Sequence, residues 1–459
     1  MTALESAARH PFWFDTVPEA PPCPPLQGST RCDLAIIGGG FTGLWSAVQA
    51  SLRAPDARIV LIERDLCGLG ASGRNGGFCA PSISHGIGVA LRRWPGEAER
   101  LVHLGRQNAR ELAEDVQRLG MAVDYEAHGK LNLAEKPWQV EGLHRIQAEF
   151  RRFGVDCPIL SGDALREKFD SPIYPAGLFE PTYALLNPAR MVAELRRVAL
   201  ARRVEIHENT AATGLRDAGT GVTIDTAGGS ITATRAILAT NVWPNLLPKL
   251  RATVIPVYDY AITTRPLSED ELASIGWIEH HGIADSGNQF HYARKTADNR
   301  ILWGGYDAVY HAGGRRDAAL LDRPETFARL AANLYRALPQ LDGIAFTHAW
   351  GGIIDTSART TFFAGTDFDG RLAYALGFTG QGVSASRFAA IAMLDMLDGR
   401  ETEHTRLAML RRRPFRFPPE PLRTFGIRWA QRDLAREDAT GRRSLFLRSL
   451  DLMGIGFDS

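Results

Sequence analysis

The sequence Gly38-Gly39-Gly40-Phe41-Thr42-Gly43 lies between two segments of different hydrophobic periodicity. Residues 32–37 form a short apolar run typical of a buried strand, and residues 41–52 carry apolar side chains at helical spacing. A second apolar run over residues 58–62 predicts another buried strand. The front of the chain is therefore predicted to form a strand–helix–strand unit.

Three glycines in this stretch, Gly38, Gly40 and Gly43, have the spacing of a dinucleotide-binding turn. Glycine permits the tight turn and lets the backbone approach a pyrophosphate, which the free amides at the helix N-terminus can bind. Glu63 closes the second strand 20 positions after Gly43, where an acid meets ribose hydroxyls. The structural alternatives are a plain glycine turn and a solvated glutamate. The neighbouring residues Thr42 and Arg64 complete this predicted site.

A second run of small residues follows Glu63 closely, with the sequence Gly70-Ala71-Ser72-Gly73-Arg74-Asn75-Gly76-Gly77. A nicotinamide enzyme would continue here with another helix and strand, whereas a flavin needs backbone donors and slender side chains beside its ribityl chain. Ser72 and Asn75 can hydrogen-bond, and Gly76 and Gly77 let the main chain approach a flat ring. The loop therefore favours a flavin.

A third glycine turn, Gly377-Phe378-Thr379-Gly380-Gln381-Gly382, again joins a predicted strand to a predicted helix. With this turn, the order of the motifs resembles the D-amino-acid oxidase superfamily of FAD-dependent amine oxidoreductases. In that family the turn lies at the pyrimidine end of the flavin, where a helix N-terminus stabilises the charge of the reduced ring. The resemblance also implies that Ala212 contacts adenine. The Arg-Asn form of the second loop is most similar to the gamma-glutamylputrescine oxidase-like branch.

The resemblance implies a particular chemistry. It implies noncovalent FAD, because no attachment motif of the family is present, and hydride transfer from the carbon next to an amine nitrogen to flavin N5. The resulting imine would hydrolyse. The implied partners are a small amine or amino acid and either oxygen or a quinone or other electron carrier. Two alternatives stay open, namely an NAD(P)-linked dehydrogenase and a non-catalytic flavin-binding redox protein.

Substrate contacts are expected from a middle sheet, because alternating patterns at residues 253–264, 288–294 and 300–304 predict antiparallel strands. No catalytic residue is certain. Tyr258 and Tyr260 share a strand face and are candidates for an aromatic wall, with core packing as the alternative. Arg294 is a candidate carboxylate clamp, with an ion-paired arginine as the alternative. Trp350 is a candidate contact to the ring, with ordinary core packing as the alternative.

The overall composition excludes other functions. The 53 Lys and Arg against 52 Asp and Glu give a net charge of +1, which predicts no nucleic-acid partner. Five cysteines without CxxC spacing predict no metal site and free thiols, as in a cytoplasmic protein. No apolar run reaches the roughly 18 residues of a membrane span. The arginine-rich tail after Arg411 favours a helix packed on the surface, with peripheral membrane contact as the alternative.

The predicted fold class is α/β, with a Rossmann-type FAD-binding domain and an interleaved antiparallel-sheet substrate domain of α+β type. Residues 1–30 are predicted to form an N-terminal arm and residues 401–459 a helical tail. The predicted FAD-binding domain comprises residues 31–85, 186–250 and 345–400. The predicted substrate domain comprises residues 86–185 and 251–344. The oligomeric state is not predicted.

Overall fold

A computed structural model describes residues 4–243 and 246–456. Its strands, in chain order, are β1 Gly28–Ile37, β2 Ile59–Ile62, β3 Phe78–Cys79, β4 Lys130–Ala134, β5 Ile159–Ser161, β6 Ala176–Glu180, β7 Ala184–Leu185, β8 Glu205–His207, β9 Ala212–Asp217, β10 Val222–Thr226, β11 Gly229–Leu238, β12 Val254–Thr264, β13 Gly282–Asp285, β14 His291–Lys295, β15 Ile301–Gly305, β16 Phe346–Ser357, β17 Phe363–Asp367 and β18 Leu372–Leu376.

The helices cover the sheets and form the C-terminal tail. In chain order they are α1 Phe41–Arg53, α2 Ile87–Arg93, α3 Ala98–Arg118, α4 Pro137–Arg152, α5 Gly162–Arg166, α6 Pro188–Ala201, α7 Glu269–Ser274, α8 Pro324–Ala337, α9 Gly382–Leu397, α10 Glu403–Arg406, α11 Ala408–Arg411, α12 Leu422–Thr440 and α13 Leu445–Leu452. Short 3-10 turns, including Phe12–Thr16 and Ala71–Gly73, lie between them.

The first sheet has the strand order β17-β18-β11-β1-β2-β8, with β10 paired to β11 and β9 paired to β10. Strands β18, β11, β1, β2 and β8 run parallel, while β17, β10 and β9 pair antiparallel. Both faces of β1 are buried. On one face Leu34 and Ile36 pack in the apolar cluster that includes α1 and α9, and on the other face Ala35 and Ile37 pack in a second apolar cluster. Burial on both faces explains why this strand reads as a continuous apolar run.

The second sheet has the order β16-β12-β15-β14-β13-β4-β6-β5 and is antiparallel except for the β13–β4 pair. Helix α8 packs on this sheet through a separate apolar cluster that includes Tyr260 and Phe327. A two-stranded ribbon of β3 and β7 lies outside both sheets. The predicted α/β class with an antiparallel second sheet is confirmed.

Helices α6 and α8 each have proline at the first position, where its fixed φ suits the start of a helix. Strand β11 runs without a break from Gly229 to Leu238, because it pairs with β1 over the whole length of β1. The predicted domain boundary at residue 345 assigns β16 to the FAD-binding domain. In the structure, however, β16 pairs with β12 of the second sheet along its whole length. The division into two domains stays a proposal, with β16 in the second unit.

Arg387 joins three helices beneath the first sheet. Its guanidinium, which is buried on α9, donates to Asp115 at 2.7 Å and to Glu111 at 2.8 Å, both on α3. Gln49 of α1 donates to the same Asp115 carboxylate at 3.0 Å. This cluster fixes α1 and α9 side by side, and the N-termini of these helices face the site described below.

Replacing Arg387→Ala should destabilise the fold. Removing one partner of a buried ion pair costs about 3–5 kcal/mol, and because Arg118 still contacts Asp115 we expect the lower value, about 3 kcal/mol. The free energy of unfolding in urea measures the loss. Arg400→Ala is the control, because that side chain is 65% exposed and should matter by less than about 1 kcal/mol. Equal small losses in both variants would contradict the prediction.

Candidate active site

The first glycine turn joins β1 to α1 under tight steric limits. Gly38 has φ +115°, and a Cβ there would lie 2.4 Å from the carbonyl oxygen of Ala239. A Cβ at Gly43 would lie 1.8 Å from the carbonyl oxygen of Gly38. Gly40 is the N-cap of α1 and offers no side chain to its first amides. The turn therefore requires glycine and presents bare backbone at the helix N-terminus.

Glu63 lies directly after β2 and faces the first turn. Its carboxylate accepts hydrogen bonds from the amides of Gly39 at 2.6 Å and Asp65 at 3.0 Å. Burial raises the pKa of Glu63, and the two amide bonds oppose that shift. Thr210 donates its amide to the Glu63 carbonyl at 2.7 Å, which brings the start of β9, with Ala212, towards the same sheet edge.

The second loop is bonded to the first turn and to the second sheet. The Phe41 amide at the start of α1 donates to the Ser72 hydroxyl at 2.8 Å. Arg74 donates to the carbonyl of Gly351 on β16 at 3.2 Å, and Trp350 donates its indole N–H to the Arg74 carbonyl at 2.9 Å. The loop thus bridges α1 and β16.

Asn75 and Trp13 hold the second loop in shape. The Asn75 amide donates to the carbonyls of Ala71 and Ser72, and its oxygen accepts from the Gly77 amide at 2.8 Å. Trp13, buried in the N-terminal arm, donates to the Asn75 carbonyl at 2.9 Å. The sequence analysis predicted residues 1–30 only as an arm, and the aromatic run Phe12-Trp13-Phe14 gives no specific signal for this contact.

The third turn is held by a buried acid that the sequence interpretation missed. The Asp355 carboxylate on β16 accepts from the amides of Gly377 at 2.6 Å and Phe378 at 3.2 Å. Burial raises the pKa of Asp355 to about 7, against the opposing effect of these amides. Thr379 adopts φ +51°, a left-handed conformation that is strained for a β-branched residue. A lone acid within the apolar stretch of β16 is the available sequence signal, because an acid is rarely buried without partners.

A cavity of about 360 Å³ opens between the two sheets, and all three turns reach it. The predicted cofactor residues in its wall are Thr42, Ala71, Ser72, Arg74, Asn75, Gly76, Phe378, Thr379, Gly380, Gln381 and Gly382. The other predicted cofactor residues lie outside the wall, namely Gly38, Gly40, Gly43, Glu63, Arg64, Gly70, Gly77, Ala212 and Gly377. Most of these are turn residues behind the wall, whereas Arg64 lies over the Trp243 ring, 4.6 Å from its centroid.

On the second sheet the cavity contacts the face opposite the predicted aromatic wall. Val257, Asp259 and Ala261 of β12 line it, with Tyr292 of β14. Tyr258 lies in the core, outside the cavity wall, and donates its hydroxyl to the Arg315 carbonyl at 3.1 Å. Tyr260 touches the cavity, but its hydroxyl donates to the Leu320 carbonyl on the core side.

Of the remaining candidates, Trp350 lines the cavity and Arg294 does not. The buried Arg294 guanidinium donates to the Leu186 carbonyl at 2.7 Å and to Glu126 at 3.4 Å. Its carbon lies 5.3 Å from the centroid of the Trp13 ring. Burial lowers the pKa of Arg294 to about 10. These contacts match the ion-paired alternative and leave no guanidinium edge towards the cavity.

Asp259 and Tyr292 form the polar pair of the cavity wall, and the sequence interpretation missed the acid. The Tyr292 hydroxyl donates to the Asp259 carboxylate at 2.7 Å. Burial raises the pKa of Asp259 to about 6, while the Tyr292 bond and the amides of Tyr260 and Gly305 oppose the shift. Burial and the neighbouring carboxylate raise the pKa of Tyr292 above its usual range. Between Tyr258 and Tyr260, Asp259 reads in the sequence as an ordinary outward residue.

Three glycine turns surround one cavity, beside a sheet of mixed parallel and antiparallel strands covered by helices. This arrangement defines a dinucleotide-dependent oxidoreductase. The profile of the family described as FAD dependent oxidoreductase (DAO) matches residues 33–396, so the chain belongs to this family. Its cofactor is therefore FAD, and the nicotinamide and non-catalytic alternatives are set aside. Its relatives include enzymes that act on amines or amino acids.

Two curated relatives match most of the chain. A probable oxidoreductase of Rhizobium meliloti (strain 1021) is 29% identical over 414 residues, covering 87% of this chain and 91% of the relative. The gamma-glutamylputrescine oxidoreductase of Escherichia coli (strain K12) is 29% identical over 397 residues, covering 85% and 89%. Among solved structures, glycine oxidase from Geobacillus kaustophilus aligns with a TM-score of 0.67 at 19% identity, covering 81% and 96%. This last likeness confirms the fold.

Replacing Asp355→Asn should change how stability depends on pH. Because burial raises the pKa of Asp355 from 3.8 to about 7, the folded state binds this proton more tightly than the unfolded state. The free energy of unfolding should therefore fall as pH rises from about 4 to about 7, and the variant should lack that fall. Urea unfolding across this pH range measures it.

The control for this experiment is Asp56→Asn, an exposed position before β2. This variant should keep the wild-type dependence of the free energy of unfolding on pH. A slope that is identical in wild type and Asp355→Asn would show that Asp355 does not titrate in this range.

Proposed function

We propose that the chain oxidises a C–N bond of a cationic amine in the cavity between its two sheets, with Asp259 binding the amine. The observation that carries this proposal is a carboxylate on the cavity wall, held by the Tyr292 hydroxyl at 2.7 Å. Among residues 4–243 and 246–456, the groups that shift its pKa are the Tyr292 hydroxyl and the amides of Tyr260 and Gly305, none of which is a cation. A substrate ammonium would supply the missing cation.

We further propose that FAD lies along the three turns, with its pyrophosphate at the N-terminus of α1 and its pyrimidine end at the N-terminus of α9. The backbone fits such a group, because a Cβ at Gly40 would lie 2.9 Å from the Ser72 oxygen and one at Gly76 would lie 2.8 Å from the Tyr292 ring. Because Gly40 and Gly76 have no side chain, a ligand can approach the backbone at both positions. Glu63 would accept from the adenosine ribose.

When bound, FAD supplies the acceptor for the hydride that leaves the carbon beside the nitrogen. The protein then has to orient that carbon, exclude water and keep the reacting nitrogen neutral. Asp259 serves the last task, because burial makes its carboxylate a stronger proton acceptor than a surface aspartate. The Tyr292 hydroxyl fixes the orientation of that carboxylate.

The relatives support an amine substrate. The Escherichia coli relative is by name a gamma-glutamylputrescine oxidoreductase, and putrescine is a cationic amine. A second substrate class, amino acids, is favoured by Lys130, a cationic residue that lines the cavity and could pair with a carboxylate; its amine lies 4.3 Å from the centroid of the Tyr183 ring. An anaerobic screen of polyamine conjugates, N-methyl amino acids and D-amino acids, read by flavin bleaching, separates the two classes.

The electron acceptor is proposed to be oxygen or a quinone-type carrier, and a cytoplasmic location stays a prediction. Reoxidation of the bleached protein by air, compared with reoxidation by a soluble quinone, distinguishes the two acceptors. The oligomeric state stays without a proposal.

Replacing Gly43→Ala should weaken retention of FAD. The new Cβ would lie 1.8 Å from the carbonyl oxygen of Gly38, so the turn and the start of α1 must move apart. We expect FAD affinity to fall about tenfold or more, equivalent to about 1.4 kcal/mol. Flavin absorbance after gel filtration measures retention. Gly96→Ala, where a Cβ meets nothing within 4 Å, is the control, and equal retention in both variants would refute the placement of the pyrophosphate.

Replacing Asp259→Asn should lower kcat/KM for a cationic amine. A hydrogen bond to a charged group contributes about 1.5–3 kcal/mol, so we expect a loss of about 10- to 100-fold. In the wild type, kcat/KM should also rise with pH through about 6 as Asp259 loses its proton, and Asp259→Asn should lack this limb. Anaerobic flavin-reduction kinetics at several pH values measure both effects.

Asp225→Asn on the first sheet is the matched control, because that carboxylate pairs with exposed Arg216 at 2.7 Å, on a different sheet from Asp259. It should keep both the rate and the pH limb. A pH limb that survives unchanged in Asp259→Asn would assign the titration to another group and remove the basis for amine binding by Asp259.

A further inference from the structure

The outer face of the C-terminal helices α12 and α13 carries a dense group of exposed apolar side chains. Eleven large apolar side chains are exposed among the described residues, and seven of them lie between residues 415 and 453. We define the C-terminal face by the residues Leu422, Phe425, Trp429, Leu445 and Leu452, which are 58–91% exposed. Apolar residues scattered singly need no explanation, whereas a concentration of this kind marks an interaction surface.

Arginines occupy the same face at helical spacing. Arg428, Arg432 and Arg436 follow Phe425 and Trp429 along the exposed side of α12. On α13, exposed Arg448 lies between Leu445 and Leu452. Residues three and four apart in a helix lie on one side, so aromatic and cationic side chains are interleaved along this surface.

The acids of the two helices are occupied elsewhere. Residues 422–452 contain seven arginines, no lysine and four acids. Asp433 accepts from the Ser444 hydroxyl, and Glu437 and Asp451 both accept from Arg443. Asp438 accepts from the amides of Asn288 and Gln289. The outward charge of the C-terminal face is therefore positive.

The opposite side of α12 anchors the helix to the enzyme. Ile427, Gln431 and Leu434 line the cavity described above. Trp429 stacks on Phe446 of α13 with ring centroids 4.6 Å apart, which joins the two helices. The exposed residues are thus presented by a fixed helix pair rather than by a loose tail.

We propose that the C-terminal face binds the surface of a bilayer rich in anionic phospholipids. Interleaved arginines and aromatic or leucine side chains suit the headgroup boundary, where arginines meet phosphates and apolar side chains enter the acyl region. Within residues 4–243 and 246–456, no helix is long and apolar enough to cross a membrane, so the contact is interfacial. A second copy of the chain fits less well, because a two-fold interface would bring arginine-bearing faces of like charge together.

Flotation of the full-length FAD-loaded enzyme with lipid vesicles tests this proposal. We expect binding to vesicles that contain phosphatidylglycerol, weak binding to pure phosphatidylcholine vesicles, and weaker binding at high salt. Arg428→Gln, Arg432→Gln and Arg436→Gln together should reduce binding about tenfold or more, since each arginine near an anionic surface contributes about fivefold. The same three changes at Arg145, Arg151 and Arg152 on α4 are the charge-matched control and should leave binding unchanged.

The apolar part of the surface has its own variant pair. Phe425→Ser with Leu452→Ser should reduce vesicle binding about tenfold, whereas Ile278→Ser, which is 71% exposed and lies outside this face, should not. Flavin content and circular dichroism confirm that each variant is folded, so failure here is separate from failure of the proposed catalytic site.

Three results would overturn the proposal. These are no binding to anionic vesicles, equal binding by face and control variants, and a dimer seen by light scattering without lipid that Phe425→Ser abolishes. The last result would assign the surface to a second copy of the chain.

Discussion

The hydrogen bond from the Phe41 amide to the Ser72 hydroxyl connects the helix that faces the dinucleotide site to the cavity wall. It joins the first turn to the second loop. The loop in turn bonds to β16 through Arg74 and Trp350, and β16 carries Asp355, which accepts from the Gly377 amide of the third turn. Three turns far apart in the chain are thereby held around one cavity.

The two acids of the cavity wall have different surroundings and therefore different tasks. Asp355 accepts from successive backbone amides and so fixes the shape of a turn. Asp259 accepts from a side-chain hydroxyl and from two amides, and it faces the side on which a substrate would lie. Burial raises the pKa of both carboxyls, and under the proposed function the second would exchange its proton with a ligand. Burial alone would not separate a structural acid from a functional one.

The sequence predicted the elements whose pattern is local. The Gly38–Gly43 turn, β1 and α1 follow from periodicity and glycine spacing. The sequence did not predict which face of β12 lines the cavity. Strand alternation places Tyr258 and Asp259 on opposite faces, but it does not say which face packs in the core. The role of Arg294 depends on Glu126 and Leu186, which lie more than 100 positions away. Such contacts have no signature in one sequence.

The alternation of the chain between its two sheets has a consequence for synthesis on the ribosome. Strand β1 is complete at Ile37, yet its partner β11 begins at Gly229 and β18 at Leu372. Strand β1 therefore lacks its neighbour β11 until half the polypeptide has emerged. Strand β18 can join the sheet only when most of the polypeptide has emerged. Long-range pairing of this kind folds slowly and exposes apolar strands in the meantime. The nascent chain should consequently be a stronger client for chaperones than the finished enzyme.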